Sequence, residues 1–148
     1  MLVKEIMTKR IFCISETGTV EEAGQYMKNL GIGVLPVVRE GIDNGKAKGI
    51  ITDRDIVIRA VAEGLDPSQT SVKDIMTTDI QFCRDREDIK DVSQKMEDKQ
   101  IRRMVVYDDD DRLIGIVSIG DISVNTDTDL AGRTLQKISE PPKERVER

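Results

Sequence analysis

Along the chain, short continuous apolar runs alternate with stretches in which apolar residues recur every three or four positions. The run "IFCI" at 11–14 predicts a strand, and it is followed by Val20, Ala23, Met27 and Leu30 at helical spacing. Thr19 supplies a capping hydroxyl before that helix and Gly31 a terminator after it. "VLPVV" at 34–38 predicts a buried strand, "REGIDNGKAK" at 39–48 a turn-rich loop, and "GIIT" at 49–52 a strand feeding a helix that begins near Asp53. The same order returns with "IQFC" at 80–83, a helix over "DIKDVSQKMEDK", the strand "RMVVY", the loop "DDDDR", the strand "LIGIVS" and a helix after Ser118. "DTDLAGRTLQKI" predicts a final helix, and "PPKERVER" reads as a frayed, charged tail.

The recurrence is a repeat in residues as well as in pattern. A shift of 69 positions lays "VKEIMTKRI" from Val3 over "VKDIMTTDI" from Val72, with Val3, Lys4, Ile6, Met7, Thr8, Ile11, Gln25, Met27, Ile32 and Val37 identical. Past a loop three residues longer in the first copy the shift becomes 66, and Gly49, Ile50, Asp55 and Ile56 recur, with Thr52 replaced by Ser118. A unit of about 60 residues is too small to bury its own apolar faces well, so the two copies are expected to pack on each other. The expected organisation is a first repeat at 1–63, a linker at 64–71, a second repeat at 72–124 and a C-terminal helix and tail at 125–148. The expected fold class is α/β, an α+β sandwich of two pseudo-twofold repeats, each strand-helix-strand-strand-helix.

Composition narrows the function classes. The 148 residues are 38% hydrophobic, enough for an interior, and 34% charged, in keeping with a solvated surface. A formal net charge of -5 argues against a binder of nucleic-acid phosphates. No stretch approaches 18 consecutive apolar residues and the opening "MLVKEIMTK" lacks a signal-peptide core, so the expectation is a soluble cytoplasmic protein with no membrane role. There is no histidine, which removes the commonest metal ligand and general base, and the two cysteines form neither a disulfide framework nor a zinc spacing. Cys13 and Cys83 are expected to be small buried apolar groups, with redox sensing the minor alternative. "DDDD" at 108–111 lacks the spaced ligands of a calcium loop and reads as a solvated hairpin turn. Ile56, Val57, Ala60 and Val61 form an apolar stripe that needs covering by the other repeat or a second subunit.

The "V-K-x-I-M-T" opening of both copies, the segments "IGVLPVV" and "IRRMVVY", and the paired turns "GIITDRDI" and "GIVSIGDI" together resemble the tandem cystathionine β-synthase (CBS) domain family over about residues 3–123. "ITDRDIVIRAVAEGLDP" is similar in particular to small stand-alone pairs with no catalytic domain attached. The resemblance implies an adenine nucleotide or adenosyl compound bound between the repeats, AMP, ADP, ATP, NAD or S-adenosylmethionine, with no cofactor required. It also implies a homodimer and a regulated protein partner.

Chemistry of the paired turn agrees with that expectation without requiring it. A strand ending in Thr52 or Ser118 and passing into a helix aims free N–H groups at whatever lies beyond the strand. Asp55 or Asp121, three residues on, can accept hydrogen bonds from the vicinal hydroxyls of a ribose, the contact the family pattern assigns to them. The resemblance places the base near Thr8 and Ile11 or Thr77 and Ile80, flanked by Val34 and Pro36. Arg102 and Arg103 stand where the first copy has Gly33 and Val34, and they are the expected phosphate contacts of the second site. Two plainer readings compete: Thr-x-x-Asp and Ser-x-x-Asp are helix capping boxes, and the arginines pair with acids of a neighbouring helix. Three function classes follow: a nonenzymatic adenosyl sensor, preferred here; a constitutive dimeric scaffold; and a hydrolase or transferase, disfavoured because no nucleophile–base pair, metal cluster or phosphate loop emerges.

Overall fold

The structure, a computed structural model, describes residues 1–40 and 45–141. In the first half it runs α1 (Val3–Ile6), β1 (Ile14–Ser15), α2 (Val20–Leu30), β2 (Val34–Val38), β3 (Gly49–Thr52) and α3 (Asp53–Asp55), which continues into a π-helix (Ile56–Val61). The second half repeats this as α4 (Val72–Ile75), β4 (Phe82–Arg84), α5 (Ile89–Lys99), β5 (Arg103–Tyr107), β6 (Leu113–Ser118) and α6 (Ile119–Asn125), followed by α7 (Thr128–Ser139). Each half holds a three-stranded sheet, β1-β2-β3 or β4-β5-β6, with one parallel and one antiparallel pairing. The mixed α/β class and the duplicated plan are therefore as expected.

Local chemistry explains most boundaries. The Thr19 hydroxyl accepts from Glu22 N at 3.1 Å to start α2, and Gly31 ends it with φ 66°. Asp88 caps α5, whose end is closed by Gln100 at φ 52°, in the place of Gly31. A non-glycine residue in that conformation costs about 1 kcal/mol. The Gln100 side chain offsets the cost by donating to the carbonyls of Glu140 at 2.6 Å and Lys137 at 3.2 Å, which fastens the end of α7.

Several features depart from the expected pattern. The strand predicted over 11–14 shrinks to Ile14–Ser15, and Cys13 is exposed instead of buried. Pro36 stands opposite the missing β1 residue and has no N–H to give the ladder; β5 has Val105 there, and β4 accordingly gains Phe82 as a partner. The helix expected after Asp53 widens into a π-helix, bonded from Ala62 N to Val57 O at 2.9 Å and from Leu65 N to Ala60 O at 3.0 Å. Its apolar stripe is only partly covered: Ala60 is buried, while Val57, Ile58 and Val61 stand at the surface. Part of the loop expected at 39–48 and nearly all of the charged tail lie outside the described residues.

The opening segments cross over. Val3 and Ile6 of α1 are buried with Cys83, Val92, Met96 and Ile122 of the second repeat, whereas Val72 and Ile75 of α4 are buried with Leu35, Ile51 and Ala60 of the first. Fully burying one such valine is worth about 1.5–3 kcal/mol. Beyond each helix the crossing chain bridges a β-strand of the other repeat, Thr8 to Ile116 and Thr77 to Ile50. A Cβ at Gly115 would lie 2.9 Å from Thr8 O, and one at Gly49 would lie 2.6 Å from Thr77 O. The glycine of the paired turn is there to admit the other copy's backbone. Between the sheets, Val105, Tyr107 and Leu113 pack with Ile11, Ile50 and Ile80.

Candidate functional site

Crossing over assembles each cleft from both copies. Ser118 and Asp121, at the β6–α6 junction, meet Thr8 and Ile11 from the first copy's opening segment and Val34 from its β2. With Arg103 these residues line a cavity of about 240 Å³. The capping box is present: Ser118 Oγ accepts from Asp121 N at 3.1 Å, and Asp121 Oδ2 accepts from Ser118 N at 2.9 Å. Among the described residues Oδ1 takes just a long bond from Thr8 Oγ1, at 3.4 Å. Asp121 thus finishes the helix through Oδ2 and also lines the cavity, so the capping and binding roles proposed for this motif are compatible.

The counterpart cleft is different. Thr77 and Ile80 line a cavity of about 120 Å³ with Val34, Ile50 and Arg103, and neither Thr52 nor Asp55 is among its walls. Asp55 is 8% exposed. Its Oδ2 accepts from Thr52 N at 3.0 Å, the Thr77 hydroxyl lies 3.1 and 3.2 Å from its two oxygens, and Arg59 Nε stands 3.8 Å from Oδ1.

Val34 and Arg103 are thus shared walls of both cavities, on the facing surfaces of β2 and β5. Pro36 is buried in β2 and Arg102 is exposed, its carbonyl accepting from Ile119 N at 2.9 Å; neither lines either cavity. The sequence reading missed Arg10 and Phe12, which reach the Asp121 cavity from the first opening segment. Phe12 is 39% exposed, an aromatic face open at the rim. Both positions break the repeat, since Asp79 and Gln81 replace them in the second copy. That asymmetry was the available signal.

The acidic run behaves as a hairpin. Asp108 Oδ1 accepts from Asp110 N at 2.8 Å and Arg112 N at 2.9 Å, closing the turn on itself. Arg84 lies 2.6 Å from Asp111, and that hydrogen bond holds the Asp111 carboxyl below the usual carboxylate range. Among the described residues no group of three or more His, Cys, Asp or Glu side chains is placed to hold a metal, and no helix is long and apolar enough to cross a membrane.

Two like α/β units that exchange opening segments and share the walls of two clefts define a tandem-repeat pair. The CBS domain family matches residues 3–61 and 72–125, and the chain belongs to that family. CBS domain-containing protein YhcV of Bacillus subtilis is 38% identical over 138 residues, 93% of this chain and 94% of its own. The CBS domain pair of protein MJ0100, in complex with 5′-methylthioadenosine and S-adenosyl-L-methionine, shares 32% identity at a TM-score of 0.72, covering 84% of this chain and 94% of that one. Hypoxic Response Protein I, whose crystal structure has two coordinated zinc ions, shares 31% identity at a TM-score of 0.74, covering 86% of this chain and 100% of that one.

Proposed function

We propose that this protein is a nonenzymatic regulatory module that binds an adenine nucleotide or adenosyl metabolite in the cleft of Ser118 and Asp121. The observation that carries the reading is Oδ1 of the cavity-lining Asp121, which among the described residues takes just the 3.4 Å contact from Thr8. A ribose diol presents two O–H donors, and a carboxylate oxygen with spare lone pairs at a half-buried cleft is their natural acceptor. Ile11, Val34 and Phe12 give the base apolar and aromatic surface, and Arg10 and Arg103 give a phosphate or carboxylate cationic partners. The complex of the MJ0100 pair with adenosyl compounds supports the same ligand class. A ligand held by both repeats shifts their relative arrangement to the extent that it binds one arrangement better, and a partner protein reads the shift. The bare apolar side chains of α2 and the π-helix, Tyr26, Leu30, Val57, Ile58 and Val61, support a homodimer as the working unit.

Thermal melts with AMP, ADP, ATP, NAD and S-adenosylmethionine, followed by calorimetry, test the reading. A ligand at about 100 times its Kd adds about 2.7 kcal/mol to stability. At least one of the five is expected to raise the melting temperature, and Asp121→Ala to abolish the rise. Five flat melts, or an undiminished rise in the variant, would overturn the proposal.

A further inference from the structure

We infer that the chain holds one working adenosyl cleft and that Arg59 takes the other out of use by engaging Asp55 as a structural carboxylate. The inference rests on the ligand class proposed for the Asp121 cleft and concerns the cleft that the same motif builds on the opposite side.

The two carboxylates have the same local origin, a strand end followed by a capping box, and different surroundings. At Asp55, Oδ1 already faces the Thr77 hydroxyl at 3.1 Å and Arg59 Nε at 3.8 Å, while Oδ2 faces Thr52 N and the same hydroxyl. A diol can reach this carboxylate only as a further donor competing with those donors, and a guanidinium has no lone pair to offer the diol in exchange. Arg59 is 51% exposed, so its ion pair contributes little stability on its own. What it does is set a positive charge beside an oxygen that the Thr77 hydroxyl already serves, at an ion-pair distance longer than a hydrogen bond.

Arg59 also makes a second contact. Its Nη1 donates to the carbonyls of Met76 at 3.2 Å and Ile75 at 3.4 Å, at the end of α4, where carbonyls lack helical partners. One side chain therefore ties the π-helix, Asp55 and the crossing segment of the second copy into a single node, with Thr77 as its other member. In the repeat register Arg59 corresponds to Asn125. Asn125 turns back onto its own helix, its Nδ2 donating to the Asp121 main-chain carbonyl at 2.8 Å, and leaves the Asp121 carboxylate alone. The Arg-for-Asn difference coincides with the loss of cavity, about 120 Å³ without the carboxylate against about 240 Å³ with it.

Calorimetry on the full chain, with AMP and 5′-methylthioadenosine as probes, is expected to give one ligand per chain. Asp121→Asn should weaken binding by about tenfold or more, and Asp55→Asn by less than about twofold. Arg59→Asn should add a second, weaker binding event. Two equivalent sites in the native chain, equal losses from the two aspartate variants, or no second event in a folded Arg59→Asn chain would each overturn the inference. If neither probe binds any variant, the proposed function falls on its own, and the node is judged by melting temperature. Asp55→Asn and Arg59→Asn should then lower it by non-additive amounts, while Asp121→Asn and Asn125→Ala add independently. Additivity in the first pair would overturn the node.

Discussion

The cleft of Asp121 and its counterpart at Asp55 begin from one motif and end in different states. In both, a hydroxyl residue closes a strand, the following helix is capped by it, and the aspartate returns a hydrogen bond to the cap. Asp121 lines a cavity shared with Arg10 and Phe12, whereas Oδ1 of Asp55 lies beside Thr77 and Arg59. The repeated residues therefore specify the helix start and the crossing of the chains, which both halves need in order to fold. Residues that do not repeat, Arg10 and Phe12 on one side and Arg59 on the other, make the surroundings of the two carboxylates differ.

The sharpest way to break this comparison is to obstruct the crossing on each side in turn. Gly49→Ala would place a methyl group 2.6 Å from Thr77 O, and Gly115→Ala one 2.9 Å from Thr8 O. Main-chain atoms cannot swing aside as a flexible side chain can, so each variant is expected to lose about 2–3 kcal/mol, the tighter Gly49 site the more. Urea denaturation measures both. Ligand affinity separates them, because Thr8 belongs to the Asp121 cavity: Gly115→Ala should weaken binding, and Gly49→Ala should leave it near the native value. Equal effects on affinity would mean that the two clefts are equivalent after all.

Next in size is the stability of the two caps. Asp55→Ala removes the cap together with the Thr77 and Arg59 contacts of a buried carboxylate and is expected to cost about 2 kcal/mol. Asp121→Ala removes a cap and a 3.4 Å contact and should cost about 1 kcal/mol. The same pair of denaturation curves checks this order, and a reversed order would contradict the assignment of Asp55 to structure.

These contrasts also mark how far the sequence could be read. Strand and helix placement was legible because the period changes cleanly at Thr19, Gly31, Ser118 and Asp127, where cap residues meet apolar spacing. The crossing of opening segments was written in Gly49 and Gly115, glycines inside strand patterns, but a glycine announces a close neighbour without saying which segment it is. The π-helix was not legible, since the crowded β-branched run Ile56, Val57 and Ile58 suits an α-helix stripe as well as a wider one. Of the residues lining the Asp121 cavity, Thr8, Ile11, Val34, Arg103, Ser118 and Asp121 were expected from the sequence, whereas Arg10 and Phe12, like Arg59 beside Asp55, lie outside the repeated motif and were passed over.

A smaller effect separates the cationic residues. Arg10 lines the Asp121 cavity while Arg102 is exposed and outside it. Arg10→Ala is expected to weaken AMP by about 1 kcal/mol, roughly fivefold, at this open rim, and to leave adenosine unchanged. Arg102→Ala should affect neither. Equal losses for AMP and adenosine in the Arg10 variant would assign that side chain to the base or sugar instead of the phosphate.

A contrast seen only at alkaline pH lies in the two cores. Ile14 of the first repeat is matched by Cys83 of the second, and both are buried. Burial pushes the Cys83 thiol up to about 12, with the nearby Glu87 carboxylate adding to the rise, against about 8.5 for a thiol in an unfolded chain. The folded state therefore keeps its proton where the unfolded state loses it. Stability from this group is complete below about pH 8.5 and declines as pH climbs toward the folded value. Between pH 8 and 10 the native protein should lose about 1–2 kcal/mol that Cys83→Ala does not, measured as the difference between their urea midpoints so that titrations common to both cancel. Because the matching position in the first repeat is an isoleucine, the loss should begin in the second core, and hydrogen exchange at alkaline pH should rise first in β4 and β5. Simultaneous loss in both sheets would show that the crossed opening segments bind the two repeats into one cooperative unit.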